Sequence, residues 1–250
     1  MGTASGSRPD MERLLIVAAT RREMRAALDG LSCPEDLPHG QPLEWNHGGR
    51  RGLLLVTGIG PINAAMRLSL ALAGAGKVSG VLNLGIGGSF DLERLPLLEV
   101  CTVVEEIWPE FGLWTETGLK PRALKFPLGK HQGQTVWDRI ALEPDRAAWQ
   151  TGLKLSPGWP AVTSLTVAGV TGTAQRAQVL QQGYGALLEN MEGFALGWVC
   201  LQNSVPFLEC RSVSNLVGSR DAGDWNLQGA MKALGQILPA LFQVEPHQAR

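Results

Sequence analysis

Short apolar runs closed by glycine, proline or polar residues recur along the chain. They are RLLIVAAT from Arg13, RGLLLVTG from Arg51, VSGVLNLG from Val78, LLEVCTVVEEI from Leu97, SLTVAGV from Ser164, ALLENM from Ala186 and FLECRSVS from Phe207. Runs of this length and composition read as strands. Helical periods stand between several of them. PINAAMRLSLALAG puts Pro61 in a first turn, Ala65, Leu68 and Leu72 on one face, and Gly74 at the end. TAQRAQVLQQG, EGFALGWVCLQ and a last helix around NLQGAMKALGQILPALF follow. Strands buried on both faces and alternating with helices predict an α/β fold with a mostly parallel or mixed sheet covered on both sides. Residues 34–42, 118–134 and 152–160 are rich in proline and glycine and read as loops.

A chain of 250 residues suits one α/β domain, taken here as residues 12–250, with residues 1–11 expected to form a disordered tail. A net charge of −1 gives no basic footprint for nucleic acid, which leaves a small molecule or another copy of the chain as the expected partner. The apolar runs fall well short of the roughly 20 residues that cross a bilayer, and the N-terminal segment has no signal-like cleavage site. Cys33, Cys101, Cys200 and Cys210 form no C-x-x-C pair, and three of them lie in apolar elements. A reduced, cytoplasmic protein is expected.

GIGPIN and GIGGSF begin G-x-G, but Asn63 and Phe90 stand where the dinucleotide fingerprint needs its third glycine. No Walker sequence or G-x-S-x-G is present. The histidines, His39, His47, His131 and His247, lack metal-ligand spacing and read as solvated, so neither a metal nor an organic cofactor is implied. What remains are glycine-rich turns at strand ends and three polar groups placed similarly: Glu23, Glu192 and Asn215. Each has an ordinary alternative. Glu23 fits the exposed first turn of a helix RREMRAALDG, Glu192 fits a carboxylate at the N-terminus of EGFALGWVCLQ, and Asn215 fits a turn.

Four segments, IVAATRREM, LNLGIGGSF, LENMEGFAL and RSVSNLVGSRD, in that order and spacing resemble those of the purine nucleoside phosphorylase and nucleosidase superfamily. The likeness runs over residues 12 to 244, and its specific parts are the Met191-Glu192 and Ser214-Asn215 pairs. It implies a three-layer α/β/α fold with a central mixed, partly barrel-like sheet, and a homodimer or larger homo-oligomer. The implied activity is hydrolysis of the N-glycosidic bond of futalosine, releasing hypoxanthine, in the alternative menaquinone pathway. Other readings stay open: a methylthioadenosine or adenosylhomocysteine nucleosidase, a 6-oxopurine nucleoside phosphorylase, and a non-catalytic nucleoside-binding module.

The resemblance also assigns roles. Glu192 matches the carboxylate that accepts the two ribose hydroxyls, Met191 the apolar floor under the sugar, and Glu23 the base that activates water. Asn215 matches the base-reading position, where an amide suits a 6-oxopurine because it donates to O6 and accepts from N7–H. Ile86 and Gly87 border the substrate. Asn83 and Ile86 occupy the places of a phosphate-holding arginine and serine, which favours water over phosphate. Thr173, in GVTGTAQ, falls where the family passes the purine, while Phe111 and Trp114 read as pocket walls or core. Arg220, with Trp225 beside it, is expected to meet the benzoate-bearing 5′ substituent of futalosine; it equally suits an ion pair with Asp221 or Asp224. Glu189 reads as structural.

Overall fold

The first apolar run, β1 (Arg13–Ala18), alternates its side chains between two cores, Leu15 and Val17 on one side and Ile16 and Ala18 on the other. This is the period of a strand buried on both faces. The structure is a computed structural model describing residues 13–242; the expected tail, His247 and the other residues after 242 lie outside the described residues. After β1 come α1 (Arg21–Ala27), β2 (Leu43–His47), β3 (Arg50–Val56), α2 (Pro61–Gly74), β4 (Val78–Ser89) and β5 (Val100–Ile107). Short strands β6 (Leu113–Thr115), β7 (Gly118–Lys120), β8 (Gly129–His131), β9 (Gln134–Val136) and β10 (Arg139–Ala141) precede α3 (Pro144–Thr151). The last part contains β11 (Ala161–Thr166), α4 (Ala174–Tyr184), β12 (Leu188–Asn190), α5 (Gly193–Gln202), β13 (Phe207–Leu216), α6 (Leu227–Leu234) and α7 (Ile237–Leu241).

One nine-stranded mixed sheet runs β10-β5-β11-β12-β4-β1-β3-β2, and β13 pairs with both β4 and β5. That double pairing closes β4, β13, β5, β11 and β12 into a five-stranded ring, with β1, β3 and β2 as an open extension. The expected partly barrel-like mixed sheet is therefore present. α2 and α5 pack together on one side; α1, α3 and α6 lie on the other. Among the described residues no helix is long and apolar enough to cross a membrane.

Four local differences from the sequence expectations have plain causes. LNLGIGGS is no turn: β4 continues through it to Ser89, and its glycines give room. A Cβ on Gly85 would stand 2.5 Å from Arg211 Nη1 and 2.9 Å from Glu23 Oε1, and one on Gly88 would stand 3.0 Å from Asn215 Nδ2. The loop 118–134 contains the strands β7 and β8, each half of a hairpin, β6–β7 and β8–β9, the second turned by Gln132 and Gly133 at positive φ. SLTVAGV stops being a strand at Thr166, where Val167 N–H donates to Asn190 O. The last helix divides into α6 and α7 because Pro239 brings no N–H to the Gly235 carbonyl four residues back, and Gln236 N–H tightens onto Ala233 O.

Candidate active site

β1, β4, β12 and β13 all end at one cavity of about 360 Å³. The ends of parallel strands are where open α/β folds build sites. Ala19, Thr20, Arg22 and Glu23 come from the β1 end, Ile86 to Gly88 from β4, Glu189 to Glu192 from β12, and Ser214 and Asn215 from β13. Ile59, Val170, Trp225, Leu227 and Met231 complete the wall. Six of the eight residues singled out from the sequence thus meet here: Glu23, Ile86, Gly87, Met191, Glu192 and Asn215.

Glu23 is in the first turn of α1 as its helical alternative required, but it is buried rather than exposed. Thr20 caps the helix, its hydroxyl accepting from Glu23 N–H at 3.1 Å and donating to Glu23 Oε2 at 2.7 Å, while Thr20 N–H reaches the same oxygen at 3.0 Å. Glu23 Oε1 accepts from Ile86 N–H at 3.2 Å. A capping box thus aims a carboxylate inward, across the start of its own helix.

Glu192 is the N-cap of α5 yet makes no side-chain capping bond. Its Oε1 accepts from Gly60 N–H at 3.0 Å and its Oε2 lies 3.6 Å from Arg211 Nη1. Burial pushes the Glu192 carboxyl above the usual carboxylate range, with Arg211 and the Gly60 N–H opposing. Glu189 also faces the cavity, and its oxygens accept from Thr171 N–H at 3.0 Å and the Thr171 hydroxyl at 2.5 Å. Burial raises it as well, against those two bonds. Asn215 Oδ1 accepts from the Ser214 hydroxyl at 2.7 Å, and its amide donates to Leu216 O at 3.2 Å, so the amide plane is held from both ends.

Thr173 and Arg220 do not line the cavity. Thr173 caps α4, accepting from Arg176 N–H. The Arg220 guanidinium lies 6.0 Å from the centre of the Trp225 ring and close to Gly172, where a Cβ would stand 3.2 Å from Nη2. Phe111 packs on Trp108, and Trp114 is exposed. Asn83 sits in the core beside Glu209 in the β4–β13 register.

The residue that sequence reasoning passed over is Arg211, 1% exposed in the middle of β13. Its Nε donates to Glu209 Oε1 at 2.8 Å, Nη1 to Ile86 O at 3.2 Å, and Nη2 to Asn190 Oδ1 at 3.4 Å. Burial works against its charge, but Glu209, Glu192 and Glu23 outweigh that and raise its pKa. The signal was in the text: LECRS carries a glutamate and an arginine two apart, on one face of an otherwise apolar strand. Arg22 also went unassigned; it is exposed at the cavity and makes no hydrogen bond or ion pair among the described residues. No group of three or more His, Cys, Asp or Glu among the described residues is arranged to hold a metal ion.

Residues 13–243 match the family described as the phosphorylase superfamily. A futalosine hydrolase of Thermus thermophilus is 35% identical over 194 residues, covering 76% of this chain and 81% of that protein. One from Streptomyces coelicolor is 35% identical over 206 residues, covering 78% of this chain and 82% of that protein. The solved futalosine hydrolase of Helicobacter pylori superposes with a TM-score of 0.70 at 17% identity, covering 92% of this chain and 96% of that one, a likeness of fold. With the family matched over nearly the whole chain and these relatives over more than three-quarters of it, the chain belongs to the phosphorylase superfamily and, within it, to the futalosine hydrolases.

Proposed function

We propose that this protein hydrolyses the N-glycosidic bond of futalosine, releasing hypoxanthine and dehypoxanthine futalosine for the alternative menaquinone pathway. The observation that carries the reading is the convergence of Glu23, Met191, Glu192 and Asn215 on one cavity. Glu192 accepts the ribose 2′ and 3′ hydroxyls, and Met191 supplies the apolar floor on which the sugar flattens. Asn215, its carbonyl oriented by Ser214, accepts from N7–H and donates to O6 of the leaving base. The C1′–N9 bond breaks with its electron pair going to the purine, whose N7 takes up a proton from solvent as the charge develops, giving the N7–H from which Asn215 accepts. Water then adds to C1′ and gives its proton to Glu23, whose orientation is fixed by the Thr20 and Ile86 N–H groups.

Water is preferred to phosphate because the cavity presents carboxylates to an incoming anion. Arg211, behind it, is already engaged with Glu209 and Glu192. For the benzoate end of the 5′ substituent, Arg22 is the favoured partner, since it lines the cavity with Trp225, Leu227 and Met231 while Arg220 does not. Residues 12–250 are taken as one nucleosidase domain, supported by a sheet whose strands run from Arg13 to Leu216. The expected homo-oligomer is assigned to the exposed apolar row Ile62, Met66 and Leu70 of α2, which continues from Ile59 at the cavity mouth. Sedimentation as a monomer would remove that assignment. A cytoplasmic location is proposed from the free cysteines, three of them buried.

The deciding experiment incubates purified protein with futalosine, inosine and methylthioadenosine, with and without phosphate, and follows free base by chromatography. Hypoxanthine released from futalosine without phosphate is expected. Adenine released faster than hypoxanthine, or a sugar 1-phosphate product, overturns the reading.

A further inference from the structure

Two glutamates that take no part in this chemistry lie behind the cavity. Glu106 of β5 and Glu209 of β13 are both 0% exposed. They flank Gly193 at the start of α5, where a Cβ would stand 2.6 Å from both Glu209 oxygens and would collide with Glu106 Oε1. Glycine at that position is what lets two carboxyl groups meet beneath the helix. Burying two such charges side by side is costly unless one of them is neutralised.

The available cation is already shared. Arg211 serves Glu209 directly, Glu192 at 3.6 Å and Glu23 through space, so one positive charge faces three carboxylates before Glu106 is counted. The partners of Glu106 are neutral: its Oε2 accepts from the Thr166 hydroxyl at 2.6 Å and its Oε1 from Asn190 Nδ2 at 2.6 Å. The nearby thiols add no charge of either sign, since burial pushes Cys101 up to about 12 and raises Cys210 well above its usual value, which keeps both neutral.

The bonds lead from this pair to the cavity. Asn190 Nδ2 also donates to Ser164 Oγ at 2.7 Å, which fixes the amide plane. Its carbonyl then accepts from Glu192 N–H at 2.8 Å and Gly193 N–H at 2.7 Å, and from Arg211 Nη2 at 3.4 Å. We propose that Glu106 and Glu209 hold one proton between them at neutral pH and act as a positioning pair, Glu209 setting Arg211 and Glu106 setting Asn190, which together place Glu192. Burial, followed by the charge on Glu209, pushes Glu106 up to about 8, in keeping with a proton kept at neutral pH. Loss of that proton adds a carboxylate that competes with Glu192 for Arg211.

The test uses Glu106→Gln, a neutral mimic of the protonated acid, and Glu209→Gln, which removes the charge that Arg211 Nε meets. A carboxyl held near 8 in the fold and at 4.5 when unfolded makes the fold less stable as pH rises between those values, because the unfolded chain gives up its proton first. Wild type is expected to lose melting temperature across that window more than Glu106→Gln does, so the difference grows in favour of the variant from about pH 5 to about pH 9. The kinetic arm rests on the nucleosidase reading. There, Glu106→Gln keeps kcat within about threefold near neutral pH and holds it above about pH 8, where wild type declines. Glu209→Gln lowers kcat roughly 10- to 100-fold with KM little changed. Parallel melting profiles for wild type and Glu106→Gln overturn the shared proton, and an unchanged kcat in Glu209→Gln overturns the positioning role. If wild type hydrolyses no futalosine, the functional reading has failed, and the melting comparison still decides the pair.

Discussion

The glutamates facing the cavity and those behind it are held in different ways. Glu23, Glu189 and Glu192 each accept from main-chain N–H groups, of Thr20 and Ile86, of Thr171, and of Gly60. Glu106 and Glu209 are held by side chains, those of Asn190, Thr166 and Arg211. A main-chain donor belongs to the fold and stays put when a ligand arrives, leaving other lone pairs open toward the cavity. Side-chain partners instead tie the rear carboxyls into a closed network, whose arrangement depends on every member being present. The two arginines divide in the same manner: Arg211 is buried among carboxylates, and Arg22, exposed at the cavity, makes no hydrogen bond or ion pair among the described residues. The front set is therefore expected to bear on chemistry and the rear set on geometry.

Glu23→Gln is the strongest way to break this division. The amide keeps one oxygen, for either the Thr20 or the Ile86 N–H, turns its NH2 toward the other, and takes no proton from water. Thus kcat should fall by about 10²- to 10⁴-fold while melting temperature falls only modestly, by the one unmatched N–H. Stopped assays of hypoxanthine release and a thermal melt check it. A kcat within a few-fold of wild type would leave Glu23 as no more than a capping-box residue.

Glu192→Gln comes next, with kcat/KM expected to fall roughly 10- to 100-fold, the loss of charge-assisted hydrogen bonds to the ribose hydroxyls. A 2′,3′-dideoxy substrate should lose little in this variant compared with wild type. The raised Glu192 carboxyl also sets a direction for pH: as pH falls it takes up a proton above the ordinary carboxylate range, so the acid limb of kcat/KM should lie above that range. Asn215→Asp follows, and it should move base preference from hypoxanthine toward adenine by about tenfold or more, since a carboxylate repels O6 and accepts from an exocyclic amine. Competition between inosine and adenosine measures the shift.

Much of the fold was legible because strand runs such as RLLIVAAT and the Pro61–Gly74 helix carry their own period and their own stop signals. The ring closure was not, since nothing local in FLECRSVSNL says that one strand pairs with β4 on one edge and β5 on the other. Glu23, Met191, Glu192 and Asn215 were legible through motif resemblance, whereas their own spacing fitted caps and turns equally well. The rear network stayed hidden for a physical reason: Glu106, Asn190, Glu209 and Arg211 come from three strands distant in sequence, and only the sheet order brings them together. The alternation of Glu209 and Arg211 was the single trace of it. Arg220, five residues after Asn215, was a natural candidate for the 5′ carboxylate; it does stand by Trp225, but beside Gly172 and not among the residues that line the cavity.

The smallest expected effect separates the two surface arginines. Arg22 is exposed, so any carboxylate it meets is screened by water and salt, and such pairs contribute on the order of 0.2–1 kcal/mol. Arg22→Ala should accordingly raise KM for futalosine by about two- to fivefold, leave kcat alone, and leave inosine, which lacks the benzoate, unaffected. The effect should shrink as salt rises toward about 1 M, where the screening length falls to about 3 Å. Arg220→Ala should change KM for futalosine less than Arg22→Ala does, because its guanidinium lies against Trp225 rather than along the cavity. Steady-state kinetics on both substrates at two salt concentrations decide between them. A larger, futalosine-selective loss in Arg220→Ala would mean that the 220–225 loop turns inward over the bound substrate, and would transfer the carboxylate to Arg220.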